Sequence, residues 1–258
     1  MTRPLDQRTA VVTGVSRRNG IGFATSRRLS NAGAAVFVHS WVHADEFSSP
    51  AELAATVAEL RGEGSIEHVE ADFADPEQPA LVIAAAREAF GHLDILVVNH
   101  TRSVHVSLSE LTSDEIDAHL HVNVRAPLLL VKEFADQHDG RPGGRIVLFT
   151  SGQHLAPMRN EVPYAVSKGA IHQVTMTLSE ELIERGITVN TVNPGPTDTG
   201  WAIKDLDPFP AMPLRRWGQP DDAARLVTWL CTDDGAWITG QVIGSEGGFR
   251  RWALAQQK

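Results

Sequence analysis

The chain has 258 residues, 42% hydrophobic and 21% charged, the make-up of a globular protein able to bury a sizeable core. A net charge of −9 and a pI of about 5.6 speak against a nucleic-acid binder held by broad charge. Cys231 is the single cysteine, which excludes an intrachain disulfide and fits a reducing compartment.

The N-terminus shows neither a signal peptide nor a membrane span, so a cytoplasmic location is expected. Beyond it, two kinds of segment alternate. Short runs rich in Val, Ile, Leu and Phe read as buried strands at 9–13, 35–39, 66–70, 93–98, 145–150, 188–192 and 241–244. Helical spacing predicts helices at 21–32, 51–60, 80–90, 113–137, 164–185 and 221–231, with Gly33, Gly91 and Gly186 placed as stops. This alternation implies an α/β fold: a Rossmann-type, doubly wound parallel sheet of about seven strands, with helices on both faces. Nothing divides the chain, so residues 1–258 read as a single domain. The irregular stretch 193–220 carries several prolines with Trp201, Phe209, Met212 and Trp217, and reads as a substrate loop or lid around 194–219.

The first strand runs into TGVSRRNGIG, residues 13–22, which opens the first helix. Glycines there let the backbone approach a pyrophosphate, and the helix N-terminus supplies N–H donors. A plain tight turn would use glycine too; its place between strand and helix favours the dinucleotide reading. Further on, Tyr164 and Lys168 lie four residues apart, one turn along one helical face. An ammonium so placed favours the phenolate, and a shift of roughly two to three units corresponds to about 3–4 kcal/mol. Alone, such a pair is usually surface packing. Ser151, thirteen residues before Tyr164 at the end of the strand GRIVLFTS, changes that, because strand carboxyl ends are where open parallel sheets hold ligands.

These motifs, with ADFADP, LDILVVN, HVNV, NPGPTDT and ITGQVIGSEGG in the same order, resemble the classical short-chain dehydrogenase/reductase family over nearly the whole chain. The resemblance is to members like the 3-oxoacyl-carrier-protein reductases. It implies an NADP(H)-dependent oxidoreductase acting on a carbonyl or secondary alcohol, with NAD(H) as the alternative cofactor. Tyr164 would be the general acid. Lys168 would lower its pKa and bond the nicotinamide ribose, Ser151 would orient the substrate oxygen, and Asn123 would hold a water in a proton relay. The implied cofactor contacts are Gly14, Ser16, Arg17, Arg18, Gly20, Ile21, Gly22, Ser40, Asp72, Phe73, Asn99, Tyr164, Lys168, Pro194, Gly195, Thr197 and Thr199. For Asp72 a simple turn aspartate before Pro76 is the competing reading.

NAD-preferring members usually end the second strand with a carboxylate. Here His39 and Ser40 stand there, while Arg17 and Arg18 offer cations to a 2′-phosphate. His154 and Trp201 are the candidate substrate contacts. The family's long glycine turns also occur in enoyl reductases, but those usually leave six residues between Tyr and Lys, where this chain has three. The family usually reads N-N-A-G after the fourth strand, and this chain reads Val98-Asn99-His100-Thr101, which puts the backbone contacts there in doubt. The eleven histidines are scattered, with no His-x-x-x-His and matching carboxylate, so no metal is expected. The resemblance implies a homotetramer with a small-molecule substrate, and neither a nucleic-acid nor a membrane partner is expected. The rival readings are an NAD-dependent alcohol dehydrogenase and a non-catalytic dinucleotide sensor.

Overall fold

The computed structural model describes residues 3–42, 49–200 and 207–254. Seven strands run parallel: β1 Thr9–Thr13, β2 Ala35–Ser40, β3 Ile66–Glu70, β4 Ile95–Val98, β5 Gly144–Phe149, β6 Ile187–Asn193 and β7 Val242–Gly244. Their order in the sheet is β3-β2-β1-β4-β5-β6-β7. β1, β4, β5 and β6 are buried along their whole length, which explains their near-continuous apolar sequences.

Two cores lie on the two faces of the sheet. One is built on α3 Gln78–Phe90, α5 Ala126–Gln137 and α6 Val162–Ile183, with Phe134, Leu130 and Leu96 at its centre. The other is built on α1 Ile21–Asn31 and α7 Pro220–Cys231, with Leu29, Val38 and Leu230. Helix α2, Pro50–Glu63, opens with a capping box between Ser49 and Glu52. A small third cluster of Ala211, Met212, Trp217 and Ala253 joins the segment after β6 to the C-terminal helix α8, Arg251–Leu254. Among the described residues, no helix is long and apolar enough to cross a membrane.

The expected helix 113–137 is a correction. It is α4 Ser113–Leu120, then a π-helical turn at His121–Arg125, then α5. Pro127 has no N–H to give the preceding turn, and the wider turn accommodates that loss.

Candidate active site

β1 ends at Thr13, and Gly14 follows in the left-handed region at φ 75°. A Cβ on Gly14 would lie 2.7 Å from the His100 Cα, and one on Gly22 would lie 2.5 Å from the Gly14 carbonyl oxygen. The turn is therefore folded tightly on itself and on the end of β4. The Asn99 amide fixes it from below, donating to the carbonyls of Thr13 at 3.1 Å and Gly14 at 3.0 Å. Helix α1 starts with Gly20 as N-cap, no side-chain cap and no acid in its first turn. That end of the helix suits an anion, so the cradle fits the pyrophosphate of a dinucleotide. Asn19 also donates to the Asp198 carbonyl at 3.3 Å, drawing the loop after β6 against the glycine turn. On that loop the Thr197 hydroxyl is turned back on the carbonyls of Pro194 and Gly195, and Thr199 is half-buried.

The adenosine end departs from expectation. Ser40 has no accessible surface, and its hydroxyl bonds His68 Nε2 at 2.8 Å, so it is corrected to a structural role. The Phe73 side chain is 3% exposed and stacks on His39 at a centroid distance of 4.0 Å, so any cofactor contact there would come from its backbone. Arg18 is gripped by Glu59 of α2, with Nε to Oε2 at 2.8 Å and Nη2 to Oε1 at 3.1 Å. Arg17 sits half-buried on the same turn. Asp72 is half-exposed and accepts the Ala74 N–H at 2.8 Å, so the turn reading of this residue holds beside any cofactor contact. Trp41 was not foreseen. It follows β2 directly, is 41% exposed, and is held by Ser16, whose hydroxyl donates to its carbonyl at 3.0 Å and accepts its N–H at 3.2 Å. The signal was its place immediately after the strand, not its residue type.

At the carboxyl end of β5, Ser151 stands beside the Tyr164 phenol, near enough to oppose the rise in its pKa. Tyr164 and Lys168 stand one turn apart on α6. The Lys168 ammonium donates to the Phe149 carbonyl at 3.1 Å and lies 5.7 Å from the centre of the Tyr164 ring. Burial pushes the Tyr164 phenol up to about 12 against the opposing effect of Ser151, with a further push from the nearby Glu161 carboxylate. Burial also lowers Lys168 to about 8. Desolvation thus outweighs the lowering expected from Lys168, and Tyr164 keeps its proton at neutral pH. Glu161, half-buried at the start of α6, is itself raised by burial.

The sequence profile of the family described as Enoyl-(Acyl carrier protein) reductase matches residues 14–250. An oxidoreductase of Bacillus subtilis, YjdA, is 38% identical over 95% of this chain and 98% of its own. The chain belongs to the short-chain dehydrogenase/reductase family. Among solved structures, a short-chain dehydrogenase from Burkholderia cenocepacia in complex with NADP superposes with a TM-score of 0.85, at 36% identity over 95% of this chain and 98% of that one. The promiscuous reductase LugOII, which catalyses keto-reduction at C1 during lugdunomycin biosynthesis, does so with a TM-score of 0.82, at 35% identity and the same coverage.

Against the usual short-chain dehydrogenase/reductase pattern, His100 proves to be a strut. It accepts from the Thr13 hydroxyl at Nδ1, 2.7 Å away, and donates from Nε2 to the Val122 carbonyl at 3.0 Å. Burial keeps it neutral, with its pKa well below the usual imidazole range. Asn123, set in the π-turn, uses its whole side chain on protein. Oδ1 accepts from the Arg102 N–H at 2.7 Å and the Thr101 hydroxyl at 3.1 Å, while Nδ2 donates to the Arg102 carbonyl at 2.8 Å and to Ser167 Oγ at 3.0 Å. The side-chain amide is thus fully engaged and clamps the loop after β4 to α6, so a relay water on Asn123 would rest on its backbone carbonyl. His154 is exposed, its ring 4.3 Å from His172 of α6. Trp201 lies outside the described residues. Among the described residues, no cluster of three His, Cys, Asp or Glu side chains could hold a metal ion.

Proposed function

We propose that this protein is an NADP(H)-dependent reductase of ketones, or of 3-oxoacyl compounds, that also runs in the alcohol-oxidising direction. The observation that carries the reading is the placement of Ser151, at the carboxyl end of β5, beside the buried Tyr164 phenol, with buried Lys168 one turn away. Two hydroxyls converging there can hold a single carbonyl oxygen. Tyr164, protonated at neutral pH, donates its proton to that oxygen. When bound, the nicotinamide supplies the hydride. Lys168 bonds the nicotinamide ribose, and its charge offsets the negative charge left on the phenol. The glycine turn holds the pyrophosphate, Thr197 and Thr199 serve the carboxamide, and Arg17, Arg18 or both meet the 2′-phosphate.

The NADP complex of the Burkholderia relative and the keto-reduction by LugOII support the cofactor and the reaction. The description of the matching family names enoyl reduction instead. The four-residue step from Tyr164 to Lys168 favours C=O over C=C chemistry. A screen of ketones, 3-oxoacyl thioesters and enoyl thioesters, followed by NADPH absorbance, tests the reading. Carbonyl turnover with NADPH preferred is expected. Enoyl turnover alone would reject the reaction, and an NADH preference would reject the cofactor.

A further inference from the structure

β7 is only three residues long, and two left-handed glycines soon follow it, Gly247 at φ 59° and Gly248 at φ 77°. They turn the chain back so that Arg251 falls onto Glu246. Its Nη1 donates to Oε2 at 3.0 Å and its Nη2 to Oε1. The two side chains are 20% and 14% exposed. Each partner crosses one active-site turn at close range. A Cβ on Gly195 would lie 2.9 Å from the Glu246 Cβ. A Cβ on Gly152, the residue after Ser151, would lie 2.5 Å from Arg251 Nη2. Asn193 completes the link, accepting the Gly195 N–H at 3.1 Å and donating to Glu246 Oε1 at 2.8 Å.

We propose that the Glu246–Arg251 pair is a positioning device that sets the distance between the serine turn and the turn of Pro194 and Gly195. The inference rests on the function proposed above, in which those two turns hold the substrate oxygen and the carboxamide. The pair does not reach the reacting groups itself. It acts through Gly152 on Ser151 and through Gly195 on the loop after β6. Docking of the C-terminal segment does not depend on it, because Ala253 is buried in the third cluster and the Arg250 N–H donates to the Ala211 carbonyl at 2.8 Å.

The test uses the full-length variants Arg251→Ala, Arg251→Lys, Gly152→Ala and the double variant Gly152→Ala with Arg251→Ala. Ketone kcat and KM, NADPH affinity by fluorescence and thermal unfolding are measured for each. Arg251→Ala should lower kcat by about tenfold or more while NADPH affinity changes by less than about threefold. Lysine should restore part of the loss. Gly152→Ala should reproduce the defect, because its methyl displaces the guanidinium, and the double variant should be no worse than either single one. Losses that multiply in the double variant, or a lowered melting temperature with unchanged kcat, would overturn the proposal. Full turnover by Tyr164→Phe would instead reject the underlying reading of the site, whatever Arg251 does.

Discussion

A neutral phenol beside a buried amine sets the direction of proton flow. Tyr164→Phe removes only the transferable proton. It should leave NADPH binding intact and lower kcat by more than about a hundredfold, as read from paired fluorescence titration and turnover assays. Lys168 titrates at about 8, so the reductase rate should fall as pH rises through that value and the ammonium is lost. At the adenosine end, the double change Arg17→Ala with Arg18→Ala should weaken NADPH by at least about tenfold and leave NADH nearly unchanged, since a hydrogen bond to a charged group contributes about 1.5–3 kcal/mol. Equal losses for both cofactors would give these arginines to the pyrophosphate or the fold. Ser40→Asp would bury a carboxylate against His68, so it should destabilise the fold rather than switch the cofactor.

Elements differ in how plainly their sequences speak. Strand β1 was legible to the residue, because a buried parallel strand leaves an unbroken apolar run between turn residues. Strand β3, placed to the residue as well, is a partly exposed edge strand with only Ile66 and Val69 apolar. Ser151, Tyr164 and Lys168 were legible because their spacing places them at one strand end and on one helix face. The break between α4 and α5 was not. Apolar spacing continues through the π-turn, and Pro127 was the lone local sign. The glycine turn was legible as a cradle, but the directions of its side chains were not: Arg18 pairs with a helix forty residues away in sequence. The contact of Arg251 with Glu246 depends on backbone reversal at two glycines, which residue spacing does not encode. Gly22→Ala tests the tightness of the cradle. Its methyl would meet the Gly14 carbonyl, so dinucleotide binding should be lost, with a stability cost of about 1–3 kcal/mol in denaturant unfolding.

For the whole molecule, the buried imidazoles govern acid stability. His39 is lowered to about 4, and His100 lies well below its ordinary value, both chiefly through burial. In the unfolded chain both take up protons near pH 6.5, while in the fold they resist until much lower pH. Stability present above about pH 6.5 should therefore be lost as pH falls toward 4, by ~3 kcal/mol from His39 alone. Urea midpoints between pH 7 and 4.5 measure it, and a flat profile would contradict the burial of these rings. The outer faces of α5 and α6 leave Leu128, Val166 and Met176 exposed. With the tetramer common in this family, light scattering should report a particle of about four chains. A clean monomer at micromolar concentration would reject that state.

The strand order reverses direction between β1 and β4. On the proposed function, residues up to β3 and the turn after it would carry the adenosine half of the cleft, and the segments from β4 onward the chemistry. Asn99 beneath the glycine turn and Asn19 against Asp198 stitch the two halves together at the seam. The enzyme is in that sense a tool with a detachable handle. Exchanging the first ninety or so residues, with these two asparagines kept, would hand the protein a different electron donor while its choice of carbonyl compound stayed where it was.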